Sequence, residues 1–151
     1  MPYITITDFQ NRLGTTIYAR LTDRVSGTTA DATVAQQIVD EAEGVADSYL
    51  ATRFATPIDL SAHPELTDVL TARVLDLAEY LAWRNSPFVS DLPERVRLLG
   101  DEATRWFSGV AAGWLELPAS RPPETTPLTK PDSPEAVSQP RLFTREELDG
   151  L

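Results

Sequence analysis

Apolar residues recur at helical spacing along three long stretches of the chain, of which the first is the clearest. It begins near Asp31 or Thr33, either of which can cap a helix, and it closes at Thr56-Pro57. Its apolar residues are spaced mostly three or four apart, and they are Val34, Ile38, Ala42, Val45, Tyr49 and Leu50. That spacing predicts an amphipathic helix with one buried face.

The second and third stretches predict two further long helices. The second begins near Pro64 and stops before Ser86, and because it is apolar over a wide arc we expect it to be the central helix. The third begins near Asp91, its expected cap, and ends at Gly113, which suits a left-handed C-cap. Residues 114–117 are expected to form a small strand or a packed loop.

Two shorter helices are predicted before the long ones. The first has Thr7 as its expected N-cap and ends at Gly14, and the second covers residues 16–21. Residues 3–6 alternate as in a β-strand, and they are either a loose start or an edge that pairs with a neighbour. The whole pattern predicts an all-α fold: an antiparallel bundle of three long helices plus short N-terminal helices, with an extended proline-rich C-terminal arm.

The composition of the C-terminal segment cannot build a packed core. Seven of the chain's twelve prolines lie between residues 118 and 140, and a short amphipathic motif follows them. We therefore expect a helical body over residues 1–117, a proline-rich linker over 118–140 and a docking motif over 141–151. The residues expected to dock on a partner are Arg141, Leu142, Phe143, Thr144, Arg145 and Leu148. The alternative is a disordered, dispensable tail, but such a tail has no need of Leu142 and Phe143 beside arginines.

Composition excludes several classes of protein. The 151 residues include no cysteine, so disulfides and thiolate metal sites are ruled out. No apolar run approaches the length of a membrane span, and we expect a soluble protein that is not exported. The formal net charge is −10, of which the segment from residue 118 onward carries −2 and the body −8. No cluster of cations is present to neutralise the phosphates of a nucleic acid.

Candidate chemistry is sparse. His63 is the single histidine, and it stands in a loop before a helix, where a histidine is usually structural or solvated. Asp40, Glu41, Glu43 and Asp47 could be interpreted as a metal or acid–base cluster, but a run along one helix face is more typical of a solvated surface. The aromatic residues Trp83, Trp106, Phe107 and Trp114 could line a ligand pocket, although their spacing favours core and inter-subunit packing. We expect neither an enzyme nor a cofactor.

Three motifs taken in order carry a resemblance to a known family. They are D-x-x-x-R-L-G at residues 8–14, D-x-Y-L-x-x-R-F-x-x-P at residues 47–57, and R-x-F-T-R at residues 141–145. In this order they resemble the gp36-like family of tailed-phage proteins, a family of unknown function that in turn resembles helical head–tail connector (adaptor) proteins. The loop after Asp23 departs from the family pattern, because relatives are usually richer in Asp and Gly there.

The resemblance implies a structural role. Copies of a helical adaptor form a ring, typically dodecameric, beneath the portal protein at the capsid vertex of the virion. The ring extends the channel for genomic DNA, which passes without specific binding, and it offers a platform to the stopper or tail-completion protein. Such a protein is made in the bacterial host cytoplasm and works in the virion neck. Two alternatives remain: a cellular helical adaptor that binds one partner through the same arm, and a metal enzyme that uses the acidic face.

Overall fold

The structure is a computed structural model, and it describes residues 2–119 of the chain. Five α-helices and one 3₁₀ turn make up its regular elements: α1 (Ile6–Leu13), α2 (Thr15–Thr22), α3 (Ala32–Leu50), the 3₁₀ turn (Pro64–Leu66), α4 (Thr67–Asn85) and α5 (Glu94–Ala112). This part of the chain contains no strand, which confirms the predicted all-α fold. None of these helices is long and apolar enough to cross a membrane.

The three long helices form the antiparallel bundle that the sequence predicts, with α4 at its centre. Helix α4 packs most extensively on α5, then on α3, and also touches both short helices. The end of α4 lies beside the first half of α3, where Arg84 approaches Glu41. Helices α4 and α5 are antiparallel. Glu79 on α4 pairs with Arg95 near the start of α5, and Arg73, earlier on α4, pairs with Glu102 further along α5.

The helix ends confirm some predicted caps and correct others. Asp31 caps α3 by accepting hydrogen bonds from the backbone N–H groups of Thr33 and Val34, and Gly113 ends α5 in the left-handed conformation. The predicted cap Thr7 is wrong, because Thr5 and Asp8 exchange hydrogen bonds as a capping box and α1 begins earlier. The predicted cap Asp91 is also wrong, since Pro93 occupies the capping position and has no side chain that could accept a hydrogen bond.

The N-terminal residues predicted as a possible strand are instead fixed in the core as an irregular segment. Tyr3 and Ile4 are 4% and 2% exposed. Their backbone N–H groups donate to Glu43 Oε1 on α3 at 2.6 and 3.1 Å, and Thr71 on α4 donates to the Tyr3 carbonyl at 3.0 Å. Side chains of two long helices therefore satisfy this backbone, and no second strand is needed.

The Tyr3 hydroxyl makes two further long-range contacts. It donates to Asp47 Oδ1 at 2.7 Å and accepts from the backbone N–H of Ile58 at 2.8 Å. Burial, reinforced by the Asp47 carboxylate, raises the pKa of the Tyr3 hydroxyl well above its ordinary value. One side chain thus joins the N-terminus, α3 and the loop before α4.

Replacing Tyr3 by Phe is expected to lower the free energy of unfolding by about 1–3 kcal/mol, because the buried N–H of Ile58 loses its acceptor. Denaturant unfolding measures the loss. The matched control is Tyr49→Phe, which keeps the stacking on Phe107 and removes a hydroxyl that forms no hydrogen bond within residues 2–119. Equal stability of the two variants would contradict the proposed role of the Tyr3 hydroxyl.

Two helical glycines are expected to respond to alanine in opposite directions. A Cβ on Gly100 would lie 2.6 Å from Tyr80 Cγ, so Gly100→Ala must push α4 and α5 apart and should cost about 1–3 kcal/mol. A Cβ on Gly44 would meet nothing within 4 Å, so Gly44→Ala should raise stability by about 0.5–1 kcal/mol. Thermal unfolding of both variants checks the signs, and a stabilising Gly100→Ala would refute the close contact.

Candidate docking surface

The end of α5 is a fixed turn that places two apolar side chains on the surface. Gly113 adopts a φ of 82°, which suits glycine. The backbone N–H groups of Trp114 and Leu115 then both donate to the carbonyl of Gly109, at 2.9 and 3.1 Å. The two residues after the helix are therefore folded back along its last turn.

Arg53, at the end of α3, supports this turn from beside it. Its Nη1 donates to the carbonyl of Val110 at 3.4 Å, and its Nη2 lies 3.9 Å from Glu116 Oε1. A Cβ on Gly113 would come within 2.8 Å of the same guanidinium, so a larger residue does not fit here without moving Arg53. Glycine at position 113 is required by both the backbone conformation and the space.

The surface that results is an apolar groove beside α5. Trp114 is 86% exposed and Leu115 is 41% exposed. The groove has a volume of about 410 Å³ and is lined by Arg73, Glu102, Arg105, Trp106, Gly109, Trp114 and Leu115. We call these seven residues the α5 groove. Tryptophan side chains are largely buried on average. A tryptophan that a well-formed helix cap holds in solvent is therefore typical of a contact surface.

A network of ion pairs around two buried carboxylates lies beneath one side of the groove. Arg73 bridges Glu102 at 3.0 Å and Asp76 at 3.5 Å. Asp76 also binds Arg12 of α1 at 2.6 Å. Glu79, only 1% exposed, binds Arg12 at 3.0 Å and Arg95 of α5 at 2.6 Å. Two carboxylates on the central helix are thereby paired with arginines from α1, α4 and α5.

Burial raises the pKa of the Asp76 carboxyl, and the neighbouring Arg12 and Arg73 guanidinium groups only partly oppose this effect. Because the pKa in the folded state is the higher one, the contribution of Asp76 to stability falls as the pH rises from its unfolded pKa of about 3.9 through the folded value. Above its folded pKa, the ionised Asp76 carboxylate is less favourable in the folded protein than in the unfolded chain, although its ion pairs still position the helices.

Asp23 begins a loop whose own hydrogen-bond donors, four backbone N–H groups and one hydroxyl, fill the accepting capacity of its carboxylate. One oxygen accepts from the N–H groups of Val25 and Ser26, at 2.8 and 3.1 Å. The other accepts from the Ser26 hydroxyl at 2.6 Å and from the N–H groups of Thr28 and Thr29 at 3.0 Å each. These bonds, above all the one from the Ser26 hydroxyl, hold the pKa of Asp23 far below its usual range. The loop is thus closed around Asp23, which has no lone pairs to spare for a ligand.

The predicted docking residues lie outside the part of the chain that the structure describes, and they are Arg141, Leu142, Phe143, Thr144, Arg145 and Leu148. The predicted linker over residues 118–140 is outside it from residue 120 onward. The described residues contribute the α5 groove, which sequence reasoning missed. The sequence does contain a signal for this groove, because Gly113 ends α5 directly before Trp114 and Leu115 and so takes these two residues off the helix.

The predicted aromatic core is confirmed in part. Phe107 is fully buried and contacts Trp106 edge to face, with ring centroids 5.1 Å apart. Trp83 is half-buried, and its indole N–H has no hydrogen-bond acceptor within residues 2–119. Trp114 is the exception, because the turn at Gly113 takes the chain off the helix axis before the ring can reach the core.

The acidic face of α3 is more than a solvated surface. Glu43 and Asp47 hold Tyr3, while Asp40 accepts a bond from Gln36 and Glu41 pairs with Arg84. In residues 2–119, no three His, Asp or Glu side chains are grouped so that they could hold a metal ion. His63 lies 3.3 Å from Glu65, at the start of the 3₁₀ turn.

Asp23→Asn is expected to lower the thermal unfolding midpoint at pH 7 and to reduce the loss of stability in acid. The amide presents an N–H₂ group where Oδ2 accepts three bonds, and it removes a carboxylate whose folded pKa is depressed. That carboxylate stabilises the fold above its unfolded pKa of about 3.9 and loses this effect as the pH falls below it. Midpoints at pH 7 and pH 3 measure both effects. Asp40→Asn, at an exposed carboxylate that accepts a hydrogen bond from Gln36, serves as control, and identical behaviour of the two variants would refute the role of Asp23.

Comparison with known proteins assigns the chain to a family. The family profile described as "Bacteriophage Mu, Gp36" matches residues 3–135, which include all of the described helices and continue into the proline-rich segment. A comparison with curated proteins finds no match. Because the profile spans well over half of the 151 residues, the chain belongs to the bacteriophage Mu Gp36 family, a gp36-like phage family as the three motifs had indicated.

Proposed function

We propose that this protein is a structural head–tail connector of a tailed bacteriophage, in which copies form a ring under the portal protein and join the head to the stopper or tail. Membership of a phage family favours a virion component over a cellular adaptor. The observation that carries the proposal is the α5 groove, where Trp114 and Leu115 are held in solvent beside the start of the C-terminal arm. A surface of this kind needs another polypeptide to cover it.

The charge of the body suits a channel that DNA passes through. Residues 1–117 carry a formal −8 of the chain's −10, and the arginines in the network under the groove are already paired with carboxylates. An acidic lining repels phosphates weakly, and arginines that are paired with carboxylates attract them less. Genomic DNA would therefore slide through a ring of such subunits without specific binding.

The energetics of the arm favour docking in an assembly over docking one copy at a time. Ordering about ten residues costs roughly 10–20 kcal/mol of backbone entropy. Burying Leu142, Phe143, Leu148 and Leu151 returns about 1.5–3 kcal/mol each. Charge-assisted hydrogen bonds from Arg141 and Arg145 add about 1.5–3 kcal/mol apiece. The sum is near balance for one arm, so the raised effective concentration within a ring decides whether the arms stay bound.

Deleting residues 138–151 from the phage gene is expected to yield heads and tails that do not join, because the motif that bridges subunits and portal is gone. Electron microscopy of lysates and the infectious titre measure the defect. The purified truncated protein should keep the helical content and unfolding midpoint of the full chain, since the described core ends at residue 119. Val25→Ser, at a side chain 90% exposed in the Asp23 loop, is the control that should assemble normally.

Normal infectious particles from the truncated gene would overturn the connector role of the arm. Loss of helical content in the truncated protein would show instead that residues 138–151 are part of the folded body. The two measurements together therefore separate a failure of assembly from a failure of folding.

A further inference from the structure

The described residues stop four residues after Leu115, which lines the α5 groove. Leu117 and Ala119 pack against the core just after the exposed Trp114 and Leu115. Residues 120–151 follow in the sequence, and they end on the docking motif expected over residues 141–151.

We infer that the α5 groove is the receptor for the docking motif of a neighbouring copy of the chain, with Leu142 and Phe143 covering Trp114 and Leu115. This inference rests on the proposed function, which makes copies of the chain neighbours in a ring. It adds the surface on which each arm is held, and it makes the arm a link between subunits of the same ring.

The apolar chemistry of the two surfaces matches. The groove of about 410 Å³ is within the range of about 300–1,000 Å³ that is typical of binding pockets. Two aromatic rings, Trp106 and Trp114, contribute to its wall, and aromatic side chains are the commonest anchors of protein interfaces. Because Gly109 has no side chain, Leu115 can lie against α5, where a Cβ would come within 3.2 Å of it.

The charges at the edge of the groove also complement the motif. The Glu102 side chain is 60% exposed and binds Arg73 through Oε1, and an incoming guanidinium could bind its other oxygen, which pairs with nothing in residues 2–119. Arg105 is exposed and forms no ion pair within the described residues 2–119. The motif offers both partners within seven residues, with Arg145 beside Glu146 and Glu147 and with Arg141 before the apolar pair.

The length and composition of the linker favour a neighbour's groove over the chain's own. Twenty-one residues separate residue 119 from Arg141. A proline-rich linker spans about 3.1 Å per residue, or roughly 65 Å in all. A body of this size has a radius of gyration of about 13 Å, and so a diameter of roughly 35 Å. A linker of this length places a neighbour's groove within reach of the motif, and the stiffness of proline-rich sequence disfavours a return to the groove of its own chain.

Cross-linking tests this arrangement directly, because the chain contains no cysteine. Two full-length populations with different tags, one carrying Leu115→Cys in the groove and the other Thr144→Cys in the motif, are mixed and treated with a short bismaleimide. The expected product is a dimer that carries both tags. The matched control replaces Leu115→Cys by Leu98→Cys, a similarly exposed leucine on α5 outside the groove.

The inference predicts that the groove variant cross-links far more than the Leu98→Cys control. Adding Trp114→Ser to the groove variant should lower the yield about tenfold, since loss of a central aromatic anchor commonly weakens an interface by at least that factor. Trp114 is mostly solvent-exposed, so the body should unfold at the same temperature with or without it.

Three results would overturn the inference. Equal yields from Leu115→Cys and Leu98→Cys would show that the groove is not the receptor. Closed monomers from a Leu115→Cys/Thr144→Cys double variant, in a yield that dilution does not lower, would show that the chain's own arm fills the groove. Dimers joined mainly through two Leu115→Cys side chains would show that two grooves pair face to face.

Different results would refute the connector role and the proposal that the α5 groove is the receptor. If the truncated phage gene blocks joining of heads and tails but the cross-links show no preference for the groove, the connector role stands and the receptor is wrong. If the cross-links prefer the groove but truncated particles are fully infectious, the arm binds its neighbour and the connector role is wrong.

Discussion

Two carboxylates on the central helix determine how the helices of this protein are arranged. Asp76 and Glu79 face inward on α4, and neither can be buried without a cation beside it. Arg12 on α1 binds both, while Arg95 on α5 and Arg73 on α4 complete the set. The position of α1 and the alignment of α5 against α4 follow from this requirement, in addition to the apolar packing around it.

The same requirement connects the core to the surface. Arg73 binds Asp76 within the network and Glu102 at the groove, so the charged edge of the groove is fixed by the interior. Tyr3 performs a comparable task through Asp47, Glu43 and Ile58. Polar contacts between distant parts of the sequence thus fix an apolar bundle whose small residues, such as Gly100 against Tyr80, allow the helices to approach closely.

Local patterns in the sequence predicted the elements well, and contacts between distant residues account for the errors. Apolar periodicity gave the three long helices and their order, and Asp31 and Gly113 marked ends that the structure confirms. The inward orientation of Glu79 was not predictable, because a single charged residue in a wide apolar arc gives no sign of its partner. Tyr3 was ambiguous for a similar reason, since its partner Asp47 lies 44 residues away. Trp114 continues the helical spacing of the core, and only the turn at Gly113 shows why it is exposed. The docking role of residues 141–151 stays a prediction.

The closed turn at the end of α5 also determines where mechanical load enters the body. Any pull on the C-terminal segment is borne first by the packing of Ala119 and Leu117 on the core, then by the Glu116–Arg53 ion pair, and then by the two N–H groups that share the Gly109 carbonyl. Tension along the arm would therefore be spread over two long helices at their adjoining ends. It would not unwind α5 one residue at a time, because the contacts that follow the helix bear the force before the helix does.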